Sequence, residues 1–162
     1  MSVVDLVRRI GDLAYYYEIT YHGCSQSTLK ALQDSLNIGD NLSFKAATAL
    51  AAGIARTGEA CGALLGGIMA IGLAYGRDRL EEITESEGLE AMDLSEKLYD
   101  RFKEEFGSIK CFDIQKEIFG RGFNLRDEKD REEFFKAYNP NGCPQVVRKG
   151  AILAAELILR SE

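Results

Sequence analysis

From Cys61 to Tyr75 the chain runs 15 residues without a charge, and along it Gly62 and Gly66, then Gly72 and Gly76, stand four apart. Residues four apart share a helix face, so the spacing predicts a helix with a smooth side that another backbone can approach closely. The run is too short to cross a bilayer, which takes about 20 apolar residues. It is therefore expected as a buried central helix, with no membrane insertion.

The rest of the chain supplies helices to surround it. Val3, Leu6, Val7, Ile10, Leu13, Ala14 and Tyr17 fall at three- and four-residue steps, the stripe of an amphipathic helix over Val3 to Tyr21. A second helix is expected from Cys24 to Leu36, stopped at Asn37 to Gly39. A third, capped by Ser43, is expected from Phe44 to about Arg56 and broken at Thr57-Gly58-Glu59. The charge-free helix follows, to Gly76. Asp78 to Phe106 reads as two amphipathic helices bent at Gly88, with its many charges on a solvated face. Short helices follow over Cys111 to Phe119 and Asp127 to Tyr138, the latter with Phe134 and Phe135 on its buried side. The last runs from Cys143-Pro144 to Arg160, with Cys143 as cap and Pro144 in the first helical position. No strand run bounded by hairpin turns is present. The fold class is all-α, a bundle of roughly seven or eight helices, with residues 1–162 expected as a single helical four-cysteine domain.

A formal net charge of −6 and the lack of a basic stripe argue against nucleic acid as a partner. The opening residues place an acid, Asp5, within the apolar run and Arg8 and Arg9 after it, the reverse of a secretory signal. A cytoplasmic protein is expected. In that compartment stable disulfides are uncommon, so four cysteines point to metal binding or reversible redox work.

Those cysteines, Cys24, Cys61, Cys111 and Cys143, each fall at an expected helix start. Helix N-termini carry unpaired N–H groups and a partial positive charge, which favours thiolate. The four starts can converge at one end of a bundle, where their dipoles add. Successive spacings of 37, 50 and 32 residues contain no CxxC pair and no zinc-finger pattern, so any joint site must be assembled by the fold. There is also no CxxCH for covalent haem. The single histidine, His22, lies two residues before Cys24 and is a candidate ligand or base. Arg56, Lys110 and Arg121 are candidates for lowering cysteine pKa values, Lys110 above all because it precedes Cys111. Tyr15, Tyr16 and Tyr17 read as core and rim.

The segment Cys61-Gly62-Ala63-Leu64-Leu65-Gly66, with one cysteine upstream and two downstream, resembles the CGAxxG motif of the four-cysteine redox-active proteins known as the C_GCAxxG_C_C family. Order and spacing agree from Cys24 to Cys143. The resemblance implies a small helical redox protein, linked to transport or electron-transfer systems and related to the domain of split-Soret cytochromes. Ala52 to Ala60, ahead of the motif, is less glycine-rich than the family pattern, which argues against an anion- or cofactor-cradling loop there. Within the motif, Gly62 lets the backbone pass close to whatever Cys61 binds, Ala63 keeps the adjoining face small, and Gly66 admits a neighbouring helix. Gly62, Ala63, Gly66 and His22 are thus the candidate cofactor-binding residues.

Three functions remain open. In the first, Cys24, Cys61, Cys111 and Cys143 are catalytic in electron transfer or thiol/disulfide exchange, with Cys61 the attacking thiol. In the second the same four residues are metal ligands for an iron–sulfur cluster or a structural zinc. In the third the protein is a non-catalytic interaction module whose cysteines cap helices. The glycine face serves helix contact within the chain or across a homodimer; the redox partner is not specified by any motif.

Overall fold

The computed structural model describes residues 1–81 and 88–160. Among them are eight α-helices: α1 Val3–Tyr21, α2 Cys24–Leu36, α3 Asn41–Ala46, α4 Gly62–Tyr75, α5 Leu89–Phe106, α6 Cys111–Phe119, α7 Glu128–Ala137 and α8 Cys143–Leu159. The only pairing outside helices among the described residues is an isolated antiparallel bridge between Ala60 and Lys110. The all-α expectation holds. Between Asp78 and Gly88 the expected helix falls largely on residues outside the described set, and residues 78–81 form bends and turns.

Helix α4 lies at the centre, packed against α2, α5 and α8, while α1 lies across α2 and α8. Its lack of charge is matched by burial of Ala63, Leu64, Gly66, Gly67, Ala70 and Ile71. Glycine is required at Gly66 because a methyl group there would collide with the Ser25 carbonyl oxygen of α2. Only the first of the two expected glycine pairs makes a helix contact: a methyl at Gly72 would meet open space. Helix α8 is nearly as apolar, burying Val147, Ala151, Ala154, Ala155 and Leu157. Deleting one of the larger of these side chains would cost roughly 2–5 kcal/mol. No helix among the described residues is long and apolar enough to cross a membrane.

Two boundaries differ from expectation. Pro144 does not open α8: Gly142 is the cap, and Cys143 is the first helical residue. The third helix is much shorter than Phe44 to Arg56. Asp40, not Ser43, caps it, accepting from the Ser43 backbone N–H at 2.9 Å. The helix ends at Ala46, a 3₁₀ turn covers Thr48–Leu50, and Ala52, Gly53, Ile54, Ala55 and Arg56 then adopt φ of 56°, 67°, 66°, 51° and 68°. This is a turn of left-handed backbone, which costs an L-residue about 1–2 kcal/mol. Helix propensity in the alanine-rich segment is overruled by closure of the loop. Ala55 N–H donates to Ala49 O at 2.8 Å, Glu59 N–H to Gly53 O at 2.9 Å, and Thr57 Oγ1 to Gly53 O at 2.6 Å.

Candidate functional site

Four helix starts deliver the four sulfurs. Cys24, Cys111 and Cys143 are the first residues of α2, α6 and α8, and Cys61 caps α4. The α2 and α4 starts meet because Gly62 has no side chain: a methyl there would overlap Cys24 Sγ. The α4 and α6 starts are pinned by the Ala60–Lys110 bridge, in which Cys61 N–H donates to Ile109 O and Cys111 N–H to Glu59 O, each at 2.7 Å. Every one of the four sulfurs lies within electrostatic reach of the other three. All four are free thiols.

Three of them, Cys24, Cys111 and Cys143, open onto a cavity of about 350 Å³. Its apolar wall includes Leu125, Phe134, Phe135 and Tyr138, and its polar groups include Glu18, Arg56 and Arg131. Cys61 is not part of the lining: it is 7% exposed and packs in the main apolar core, with the Ala63 backbone N–H favouring its thiolate only weakly against burial. Phe135, expected on the buried side of α7, is 53% exposed and forms part of the cavity's outer edge. Phe134 beneath it is buried in a cluster of edge-on rings, 5.6 Å from both Phe119 and Phe123.

The remaining sequence candidates divide. His22, at φ 62°, borders the cavity, with its ring edge-on to Tyr138 at 4.9 Å. Ala63 and Gly66 pack against Gly150 of α8 and Ser25 of α2. Lys110 faces Glu59 at 3.8 Å and Arg121 pairs with Asp130; neither is among the groups acting on a thiol. Arg56 reaches the cavity because the left-handed turn carries it there. The stretch expected not to cradle anything therefore lines part of the site, and the Ala52 backbone N–H favours the Cys24 thiolate against burial.

Burial reverses the expectation that these are ready thiolates. It pushes Cys24 up to about 12, against the opposing N–H groups of Ala52 and Ser25. Cys61 and Cys143 are pushed well above the ordinary thiol value, first by burial and then by their sulfur neighbours. Cys111 is raised by burial as well, offset by Gln115, whose Nε2 donates to its sulfur at 3.3 Å. The helix-start geometry is present, but desolvation outweighs it.

Sequence reasoning missed a carboxyl. Glu18 is 3% exposed and lines the cavity, accepting from Ser27 Oγ at 2.9 Å and Tyr138 Oη at 3.2 Å. Burial raises it to about 7, opposed by those two hydroxyls. A signal existed: Glu18 is four residues beyond Ala14 and eleven beyond Val7, on the apolar stripe of α1. Gln115 was also missed. It is buried, and its Oε1 accepts the Phe123 N–H at 2.8 Å while its amide meets Cys111.

A family model described as "Putative redox-active protein (C_GCAxxG_C_C)" matches residues 22–157. The chain belongs to this family. In this C_GCAxxG_C_C protein the matched span opens at His22, so it holds all four cysteines, while Glu18 precedes it. No curated protein and no solved structure shows significant similarity to the chain. The residues that could hold a thiophilic metal here are Cys24, Cys61, Cys111 and Cys143. A tetrahedral zinc with Zn–S near 2.3 Å would draw its sulfurs to within about 4 Å of one another. Among the described residues no group of three or more His, Cys, Asp or Glu side chains is placed to hold a metal ion. As they stand, the thiols do not fit a single zinc.

Proposed function

We propose that this family member performs thiol–disulfide redox chemistry in its four-cysteine cluster. The observation that carries the reading is the gathering of four free thiols, from distant parts of the chain, beside one partly apolar cavity. Cys111 is the attacking thiol. It opens onto the cavity, and the Gln115 amide stabilises its thiolate. Its proton passes to a base, the thiolate attacks one sulfur of a substrate disulfide, and the distal sulfur leaves as thiolate. A neighbouring cysteine then attacks Cys111 Sγ and frees the second substrate thiol. The protein loses two electrons as one internal disulfide, and the substrate disulfide gains them. Cys61, buried outside the cavity lining, serves as a resolving rather than an attacking thiol. Glu18 supplies a carboxyl that changes protonation near neutrality, where a proton acceptor for a thiol is most useful.

Anaerobic purification, metal analysis and titration with a disulfide test this. The expected result is a metal-free protein that loses two thiols per oxidising equivalent and regains them with dithiothreitol, with Cys111→Ser slowing the first step and Cys61→Ser leaving a mixed disulfide at Cys111. Stoichiometric iron or zinc, or oxidation unaffected in both variants, overturns the reading.

A further inference from the structure

We infer that the cavity beside the thiols binds a small apolar anion: Arg56 holds its charged group and the Leu125–Phe134–Phe135 wall holds a ring-sized body. The inference rests on the redox reading of the same site and adds the class of substrate.

Arg56 is delivered by backbone that no L-residue adopts cheaply. Ala52, Ile54, Ala55 and Arg56 all have positive φ within one turn, and such strain persists where the surroundings fix it, most often at functional sites. The loop closes through Thr57 and Glu59 onto Gly53, which leaves Arg56 bordering the cavity. Among the described residues no ion pair or hydrogen bond engages its side chain. The second guanidinium in the lining, Arg131, already donates to Leu125 O at 2.8 Å. Two guanidinium groups thus face one lining carboxyl, Glu18, which is buried and itself partly protonated near neutrality. The local surplus is positive on a chain whose net charge is −6.

The apolar side is equally specific. Phe135 is an exposed ring at the cavity's edge and Phe134 a buried one beside it, with centroids 5.3 Å apart. At about 350 Å³ the space suits one ring bearing an acidic group and lies at the small end of ligand pockets. An ion pair with Arg56 would orient that ring toward the sulfurs of Cys24, Cys111 and Cys143.

Two aromatic disulfides of similar size test the charge requirement: 5,5′-dithiobis(2-nitrobenzoate), which carries carboxylates, and neutral 4,4′-dithiodipyridine. In either reaction a cysteine thiolate displaces one aromatic thiolate from the reagent's S–S bond and the thiol proton goes to solvent. For the full chain, the rate with the carboxylate reagent should saturate with concentration, and unreactive 2-nitrobenzoate should compete where 2-nitrobenzamide does not. Arg56→Gln should slow the carboxylate reagent about threefold to fivefold and leave the neutral one within about twofold. Arg56→Lys should restore most of the rate, and Arg9→Gln, the same charge change far along α1, should do nothing. Equal slowing of both reagents, no slowing of either, or an equal effect of Arg9→Gln overturns the inference. If Arg56→Gln loses helix content, the competition by 2-nitrobenzoate in the unmodified protein decides alone. These rates are independent of whether an internal disulfide then forms. Mass analysis of that second step tests the redox reading separately.

Discussion

Replacing Glu18 by glutamine should remove a pH dependence of stability that the wild-type protein must show. In the folded chain burial holds the Glu18 carboxyl at about 7, against 4.5 for an ordinary glutamate. Between these two pH values the folded protein keeps a proton that the unfolded chain has released. Raising the pH therefore pulls the equilibrium toward the unfolded state. The penalty is absent below about pH 4.5 and complete above about pH 7. At 1.36 kcal/mol per pKa unit it amounts to about 3 kcal/mol, or about 6–12 °C in Tm for a chain of this size.

Urea unfolding of the reduced protein at pH 5 and pH 8 measures it directly. The wild-type should be about 2.5 kcal/mol less stable at pH 8 than at pH 5. Glu18→Gln should show little of that difference, because the carbonyl of the introduced amide can still accept from Ser27 and Tyr138 while the amide has no proton to lose. The carboxyls of Asp5, Asp40 and Asp130 are held below 3.8 by hydrogen bonds, from Ser2, Ser43 and Asn124 first in each case. Their contribution fades in more acidic solution and stays out of this window. A wild-type protein equally stable at both pH values, or a Glu18→Gln variant with the wild-type slope, would show that Glu18 is not sealed from water and that its role beside the thiols is misjudged.

Three further outcomes follow from the same geometry. Gly62→Ala should destabilise the fold by about 1–3 kcal/mol and alter Cys24 alkylation, since the new methyl meets Cys24 Sγ; an unchanged urea midpoint and alkylation rate would contradict the α2–α4 contact. Ile54→Gly should raise stability by about 1 kcal/mol, because a β-branched residue at φ 66° is relieved and its side chain is already 40% exposed; a lower midpoint would deny the left-handed turn. Iodoacetamide should label the folded protein at pH 8 far more slowly than free cysteine, with the rate rising steeply above pH 9, since every thiol is raised by burial; rapid labelling at pH 7 would return the cysteines to the thiolate class.

Most helices were legible because each announces itself locally. The stripe of α1, the charge-free α4 and the Cys143-Pro144 start of α8 are patterns of near neighbours, and their bounds match to within a residue or two. The stretch after Ala46 was not legible. Its alanines favour helix, and nothing local shows that the chain must turn back through left-handed backbone before Ala60 can bridge to Lys110 beside Cys61 and Cys111. Phe135 failed for a related reason: helical spacing gave α7 a buried face, but the cavity leaves the second ring at its edge.

The same contrast governs the thiols. Their placement at four helix starts could be read from capping signals, yet their protonation could not, because it is decided by magnitudes that depend on tertiary burial. A helix N-terminus favours an adjacent anion by about 0.3–1 kcal/mol, up to about 2 kcal/mol when partly buried. Moving Cys24 from 9.0 to about 12 corresponds to about 4 kcal/mol in the opposite direction, so desolvation wins even though the Ala52 and Ser25 N–H groups favour the thiolate. A cluster built this way is quiet at rest. Its reactivity then depends on what removes the proton and what brings an acceptor into the cavity, which is why Glu18 and Arg56, neither of them a cysteine, are the residues on which the chemistry proposed for this site turns.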